Sequence, residues 1–133
     1  MRYYLDTNIF LRYFLGDNQK QFVLAKAFFK DAKQMDLDLV VSIEILLEFE
    51  YVLRKVYQIE KAVVLKYLNT IVSNQFIHVH ESDVFTVAMS LFEKCNADIV
   101  DCVLFARSVK TSSEIFTFDK DFVKIKKVYD TLS

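Results

Sequence analysis

Apolar residues along this chain come in short blocks, and their period changes from block to block. Residues 2–5 (RYYL) are a short aromatic block that meets a charge at once, which predicts a buried strand ending at Asp6. Residues 8–15 (NIFLRYFL) follow a helical pattern, with Gly16-Asp17-Asn18 as its stop. Over 19–35, Phe22, Ala25, Phe29 and Ala32 fall on one helical stripe. Residues 38–41 (DLVV) read as a second strand, and Ser42 stands where a helix N-cap belongs. The next helix is predicted over 43–57, with Ile45, Leu46, Phe49, Val52, Leu53 and Val56 at helical spacing, and another over 60–73. Residues 76–80 (FIHVH) suit a strand, and Ser82 opens a helix through about Phe92. Asn96 to Asp98 break the pattern before a helix over 99–110. Residues 114–117 (EIFT) predict a strand just before Asp119, and 127–129 (KVY) a last short one. Strands alternating with helices imply an α/β layer fold with a mostly parallel sheet. In open parallel sheets, ligands sit beyond the carboxyl ends of the strands. Asp6 and Asp119 stand there.

Composition narrows the picture. The 133 residues suit one domain over 1–133, large enough to bury a core without disulfides or metal. With one Gly and no Pro, the chain holds neither a GxxxxGK[ST] phosphate loop nor a GxGxxG fingerprint. The same scarcity argues against sandwiches and barrels of many short strands. A net charge of -1 excludes a generally basic nucleic-acid binder, while leaving room for a local patch. Cys95 and Cys102 fit no CxxC pattern and read as buried, reduced thiols. The first residues reach a charge too soon for a signal peptide, and no stretch approaches the roughly 20 apolar residues of a membrane span. The expectation is a soluble, cytoplasmic protein.

The chemistry lies in the acids. Glu44 and Glu48 share a helix face, with Glu50 about 160° away from Glu48. Asp98 is explained by capping the helix over 99–110. Asp101 is harder to place, because Cys102, Val103, Leu104, Phe105 and Ala106 follow it. A carboxylate in so apolar a helix is costly unless it is paired or binds a cation. Gathered carboxylates raise one another's pKa, and a divalent cation relieves the repulsion. Mg²⁺ or Mn²⁺ takes oxygen ligands and can activate a bound water against a phosphodiester. His78 and His80 share a strand face but lack a third ligand for zinc. Asp17, Asp31, Asp36, Glu60 and Glu81 have the character of surface or capping acids, and with eighteen acids in the chain, an acid at a strand end arises readily by chance. Spacing alone therefore leaves a metal site and scattered surface acids both open.

Four segments carry a resemblance. LDTN at 5–8, continuing as DTNIFLRYFLGD, resembles the opening of PIN-domain nucleases, particularly the VapC-type toxins of toxin–antitoxin pairs. SIEILLEFEYVL at 42–53 is similar to their second motif, NADIVDCVLFA at 96–106 to the third, and FTFDKDFVKI at 116–125 to the closing one. The order and intervals agree over nearly the whole chain. The resemblance implies a three-layer α/β/α fold with a central, mostly parallel sheet of four or five strands. It implies a Mg²⁺- or Mn²⁺-dependent endoribonuclease cutting tRNA or rRNA, with Asp6, Glu48, Asp101 and Asp119 as its catalytic, metal-binding acids. Asp98 matches an accessory acid that would also bind metal. Thr7 and Asn8 match residues that orient the first acid, and Thr117 one that supports the last. A cognate antitoxin, inserting a basic residue among the carboxylates, and a homodimer are implied as partners. The third motif departs from the family in Cys102, Val103, Phe105 and Arg107, where smaller residues are usual.

Because an acidic site repels RNA, binding must come from metal and rim cations. Arg12, Arg107, Lys110, Lys120 and Lys124 are the candidates, with Lys126 and Lys127 beside the last two; a solvated Lys-rich tail is the alternative. Tyr13, Tyr51 and Tyr57 suit base stacking or a dimer interface. Two other function classes compete. A phosphatase of the haloacid-dehalogenase type needs D-x-D after the first strand, and Asn8 stands at the second position. A non-catalytic RNA-binding module would keep the fold without turnover. Metal-dependent RNA cleavage, phosphate release from a monoester, or neither, separates the three.

Overall fold

The computed structural model describes residues 1–132. The chain divides into two compact units, Met1–His80 and Glu81–Ser133. The first contains β1 (Arg2–Tyr4), α1 (Thr7–Leu15), α2 (Gln19–Gln34), β2 (Asp38–Val41), α3 (Ile43–Lys55), α4 (Lys61–Ser73) and β3 (Ile77–Val79). The second contains α5 (Ser82–Lys94), α6 (Ile99–Lys110) and α7 (Asp121–Leu132). Among the described residues, no helix is long and apolar enough to cross a membrane.

The sheet of the first unit has the order β1-β2-β3 and is parallel throughout, with Arg2 opposite Asp38 and Val41 opposite Val79. β2 is the middle strand, and its Leu39, Val40 and Val41 are all at most 2% exposed, as an apolar run covered on both faces should be. β3 alternates instead: Ile77 and Val79 point inward and His78 outward.

Helix ends follow the local chemistry. The Asp6 carboxylate accepts the Ile9 N–H at the head of α1, and Asn18 accepts the Gln21 N–H at the head of α2. Gly16 closes α1 at φ 63°, where a side chain would be strained. An aromatic cluster joins the four helices of this unit. Phe10 packs on Phe29 and Phe49, and Phe14 stacks on Tyr67 at 4.7 Å. Phe10 and Phe49 are fully buried, and each contributes about 1.5–3 kcal/mol by leaving water.

In the second unit, α5 packs on α6, their Phe85, Leu91, Ile99, Cys102 and Val103 are buried, and Ile125 of α7 is fully buried. Cys95 and Cys102 are buried and are not joined in a disulfide, as their spacing suggested. Glu81 and Asp83 at the start of α5 pair with Arg107 and Lys110 at the end of α6.

Four expectations need correction. The sheet has three strands among the described residues, where four or five were expected. Residues 114–117 form neither strand nor helix, because a strand exists only by pairing and the described part of their unit contains none. Residues 127–129 lie inside α7, where Phe122, Ile125 and Tyr129 recur at helical spacing on its covered side. Finally, β1 was expected to be buried, yet all three of its residues are exposed. It is the edge of the sheet, and cover begins only at Leu5, whose N–H reaches the Val40 carbonyl at 2.9 Å.

Candidate metal centre

The second unit gathers Asp101, Asp119 and Asp121, each offering a carboxylate oxygen within 4.8 Å of the others. Asp101 lies in the first turn of α6, one turn after Asp98 at the helix cap. The Asp98 side chain makes no capping hydrogen bond, so its carboxylate is not consumed in holding the helix end. Burial pushes the Asp101 carboxyl above the usual carboxylate range, and the nearby charges of Asp119, Asp98 and Asp121 push it further. This is the cost that the apolar surroundings of Asp101 in the sequence implied.

Asp119 and Asp121 are held by a local turn. The Asp119 N–H donates to the Thr117 hydroxyl at 2.9 Å, and the Asp119 carboxylate accepts the Asp121 N–H at 2.9 Å. Thr117 therefore supports Asp119 through its backbone. The turn starts α7 and places both carboxylates at the helix head, where the dipole favours negative charge. Lys124, one turn on, donates to Asp121 at 2.9 Å and to the Asn96 carbonyl at 3.3 Å. Asp121 was not among the sequence candidates. Its signal was the D-K-D spacing at 119–121, with two carboxylates on either side of a helix start.

The donor set fits a hard divalent cation. All its atoms are carboxylate oxygens, and ligands of an octahedral ion at about 2.1 Å stand roughly 3–4 Å apart. Burial first, and the neighbouring carboxylates second, disfavour the charge on Asp101, and such a cation offsets both.

The other two predicted acids belong to the first unit. Asp6 follows β1 and is exposed, and its carboxylate caps α1. Glu48 lies exposed on α3 and accepts the Thr7 hydroxyl at 2.8 Å. Thr7, expected to orient Asp6, thus fixes Glu48 across 41 positions of sequence. Asn8 is exposed beside Arg12 on a groove between α1 and α2. Glu50 is turned into the core and neutralised by Arg54 at 2.8 Å. His78 and His80 touch edge to face at 5.4 Å.

Most of the candidate phosphate-binding cations already have partners. Arg12 pairs with Asp17 at 2.7 Å, Arg107 with Glu81, Lys110 with Asp83 at 2.6 Å, and Lys124 with Asp121. Among the described residues, Lys120 forms no ion pair. Exposed pairs are worth about 0–1 kcal/mol, so exchanging such a carboxylate for a phosphate costs little. Tyr13 packs among Phe14, Phe22 and Phe29, and Tyr57 donates to Asp17, while Tyr51 remains exposed.

The chain is similar to the VapC ribonuclease of Aquifex aeolicus (strain VF5), with 25% identity over 122 residues, or 91% of this chain and 90% of that one. The PIN domain family matches residues 3–128, which begin within β1 and extend into α7, so this chain belongs to the PIN domain family.

Proposed function

We propose that this chain is a Mg²⁺- or Mn²⁺-dependent endoribonuclease of the VapC type, the toxin of a toxin–antitoxin pair, acting in the cytoplasm on tRNA or rRNA. The observation that carries the reading is the cluster of Asp101, Asp119 and Asp121 in a member of the PIN family. These three, with Asp98 beside them, would hold the cation. When bound, the cation supplies Lewis acidity to the scissile phosphate and lowers the pKa of a coordinated water.

The rest of the chemistry falls to the chain. Asp6 and Glu48 join Asp101 and Asp119 as catalytic acids, by their match to the family's first two motifs. Thr7 holds Glu48 through Oε2, which leaves Oε1 to accept a proton from water. Thr117 holds the turn that aims Asp119. Lys124 offsets the charge of Asp121. Arg12, Arg107, Lys110, Lys120 and Lys124 bind phosphates and supply affinity without sequence preference. The partners are an antitoxin that places a basic residue among the carboxylates, and a second copy of the chain in a homodimer.

The test is incubation of the purified chain with tRNA and with total RNA, in Mg²⁺, in Mn²⁺ and in chelator, beside Asp6→Asn and Asp119→Asn. Discrete, cation-dependent cuts that vanish in both variants are expected. Cleavage that persists in both, or in chelator, overturns the reading. Phosphate release from a monoester without RNA cleavage would assign a phosphatase instead.

A further inference from the structure

Helix α2 carries four lysines against a single acid, Asp31. Lys26, Lys30 and Lys33 stand four and three residues apart, so they form one stripe about 10 Å long. All three are exposed and, among the described residues, none forms an ion pair. Elsewhere Arg2, Arg12, Arg107, Lys110, Lys124 and Lys126 each meet a carboxylate. Asp31 does not relieve the stripe, because it lies about 100–160° round the helix from the three lysines. Two of the ammonium groups sit over rings instead: Lys33 over Phe76 at 5.3 Å and Lys26 over Phe22 at 6.0 Å. A ring face steadies an ammonium and leaves its charge whole. Like charges at this spacing destabilise a helix, so the arrangement gains from an anion laid along it.

The stripe's chemistry selects the occupant. Within the arc that the three lysines span, α2 has no apolar side chain; the fourth residue there is Gln19. Val23 and Leu24 are exposed outside that arc, so an apolar partner seated on them would leave the lysines in water. Carboxylates are gripped best by the two-pronged guanidinium, and α2 has no arginine. Lysines are point charges that meet phosphate without reading sequence. A strand of a duplex presents one phosphate per roughly 3.4 Å of axis, so a stripe of about 10 Å faces about three of them. A nuclease whose acids repel its substrate needs cations of this kind, already free of partners.

We propose that Lys26, Lys30 and Lys33 form a docking stripe for the phosphate backbone of RNA, in the unit that does not hold the aspartate cluster. The stripe says where the substrate is gripped, and so rests on the nuclease reading above.

The test uses the full chain in Ca²⁺, with fluorescence anisotropy of two labelled RNA hairpins of unrelated sequence, titrated from about 50 to 200 mM KCl. Lys26→Gln combined with Lys30→Gln and Lys33→Gln should lower the slope of log affinity against log salt by about 3, one for each lysine, and weaken both hairpins alike. The control, Lys55→Gln with Lys66→Gln and Lys94→Gln, makes the same change of net charge at exposed lysines off α2 and should lower the slope far less. Both variants should melt no lower than wild type, since all six side chains are exposed. An unchanged slope in the α2 variant, or equal losses in the two variants, overturns the proposal and leaves a solvated helix face. So does polyglutamate that displaces the hairpins as readily as unlabelled RNA of equal charge, which would make an acidic protein the partner. Cleavage is followed in parallel with Mn²⁺. If wild type cuts RNA and the α2 variant binds as wild type does, the stripe falls and the nuclease stands. If wild type cuts nothing and the α2 variant loses binding, the nuclease falls and an RNA-binding surface remains.

Discussion

Replacing Asp101 by Asn should make the metal-free protein more stable and remove its response to divalent cations. Asp101 faces the oxygens of Asp119 and Asp121 within 4.8 Å, and each such pair of charges repels by about 1 kcal/mol at the dielectric of water and about 3 at that of a protein surface. Asp119 is exposed, so the lower figure applies, and two pairs give about 1–2 kcal/mol after screening by salt. At roughly 4 °C per kcal/mol, the melting point in chelator should rise by about 4–8 °C. The sign also fixes the pH dependence. The folded Asp101 carboxyl titrates above its unfolded value, so the fold takes up protons and stability falls as pH rises through that window. The advantage of Asn is therefore full above the raised pKa and vanishes below the ordinary aspartate range near 4. Wild type in Mn²⁺ at about a hundred times its dissociation constant should gain about 2.7 kcal/mol, and the variant far less. Differential scanning fluorimetry in chelator and in Mn²⁺, from pH 3 to pH 8, measures both. A variant that melts lower than wild type in chelator at pH 7 would refute the reasoning, because Asp101 would then be a satisfied structural carboxylate.

Phe49→Ala should cost about 3–5 kcal/mol by emptying a fully buried site against Phe10 and Phe14, measured by urea unfolding. Arg54→Met leaves the Glu50 carboxylate buried without its cation and should cost about 2–4 kcal/mol, whereas the double change Arg54→Met with Glu50→Gln should recover part of that loss. Thr7→Val keeps the shape of a buried side chain but removes the hydrogen bond to Glu48; RNA cleavage should fall about tenfold with the melting point within a few degrees. Arg107 holds the Glu81 carboxyl below the usual range, so this pair stabilises above the ordinary glutamate value and is lost as pH falls through the lowered one. Arg107→Met should lower the urea midpoint at pH 7 and leave it unchanged near pH 3.

Helices were legible in this chain because their evidence is local. The apolar period marks α1 to α6 within a few residues, and Asp6, Asn18 and Gly16 act at the helix ends as their types demand. Strands depend on partners that the local sequence does not show. RYYL has the composition of a buried strand, yet β1 pairs on one side only and its aromatics face water. KVY carries a β-branched residue, but Phe122, Ile125 and Tyr129 set a helical period over a longer span, and burial of that stripe prevails.

The candidate site divides along the same line. The burden on Asp101 could be read locally, since a carboxylate among apolar neighbours must raise its pKa or find a cation, and the structure shows the raised carboxyl. Asp121 escaped notice because its role depends on geometry. Only once the Asp119 turn starts α7 does a carboxylate two residues later come within reach of Asp101, 20 positions away. Thr7 makes the same point from the other unit: its residue type announced a hydroxyl that orients an acid, but which acid depends on how α1 packs on α3. Residue types therefore announce a chemistry, while the folded geometry decides which groups share it.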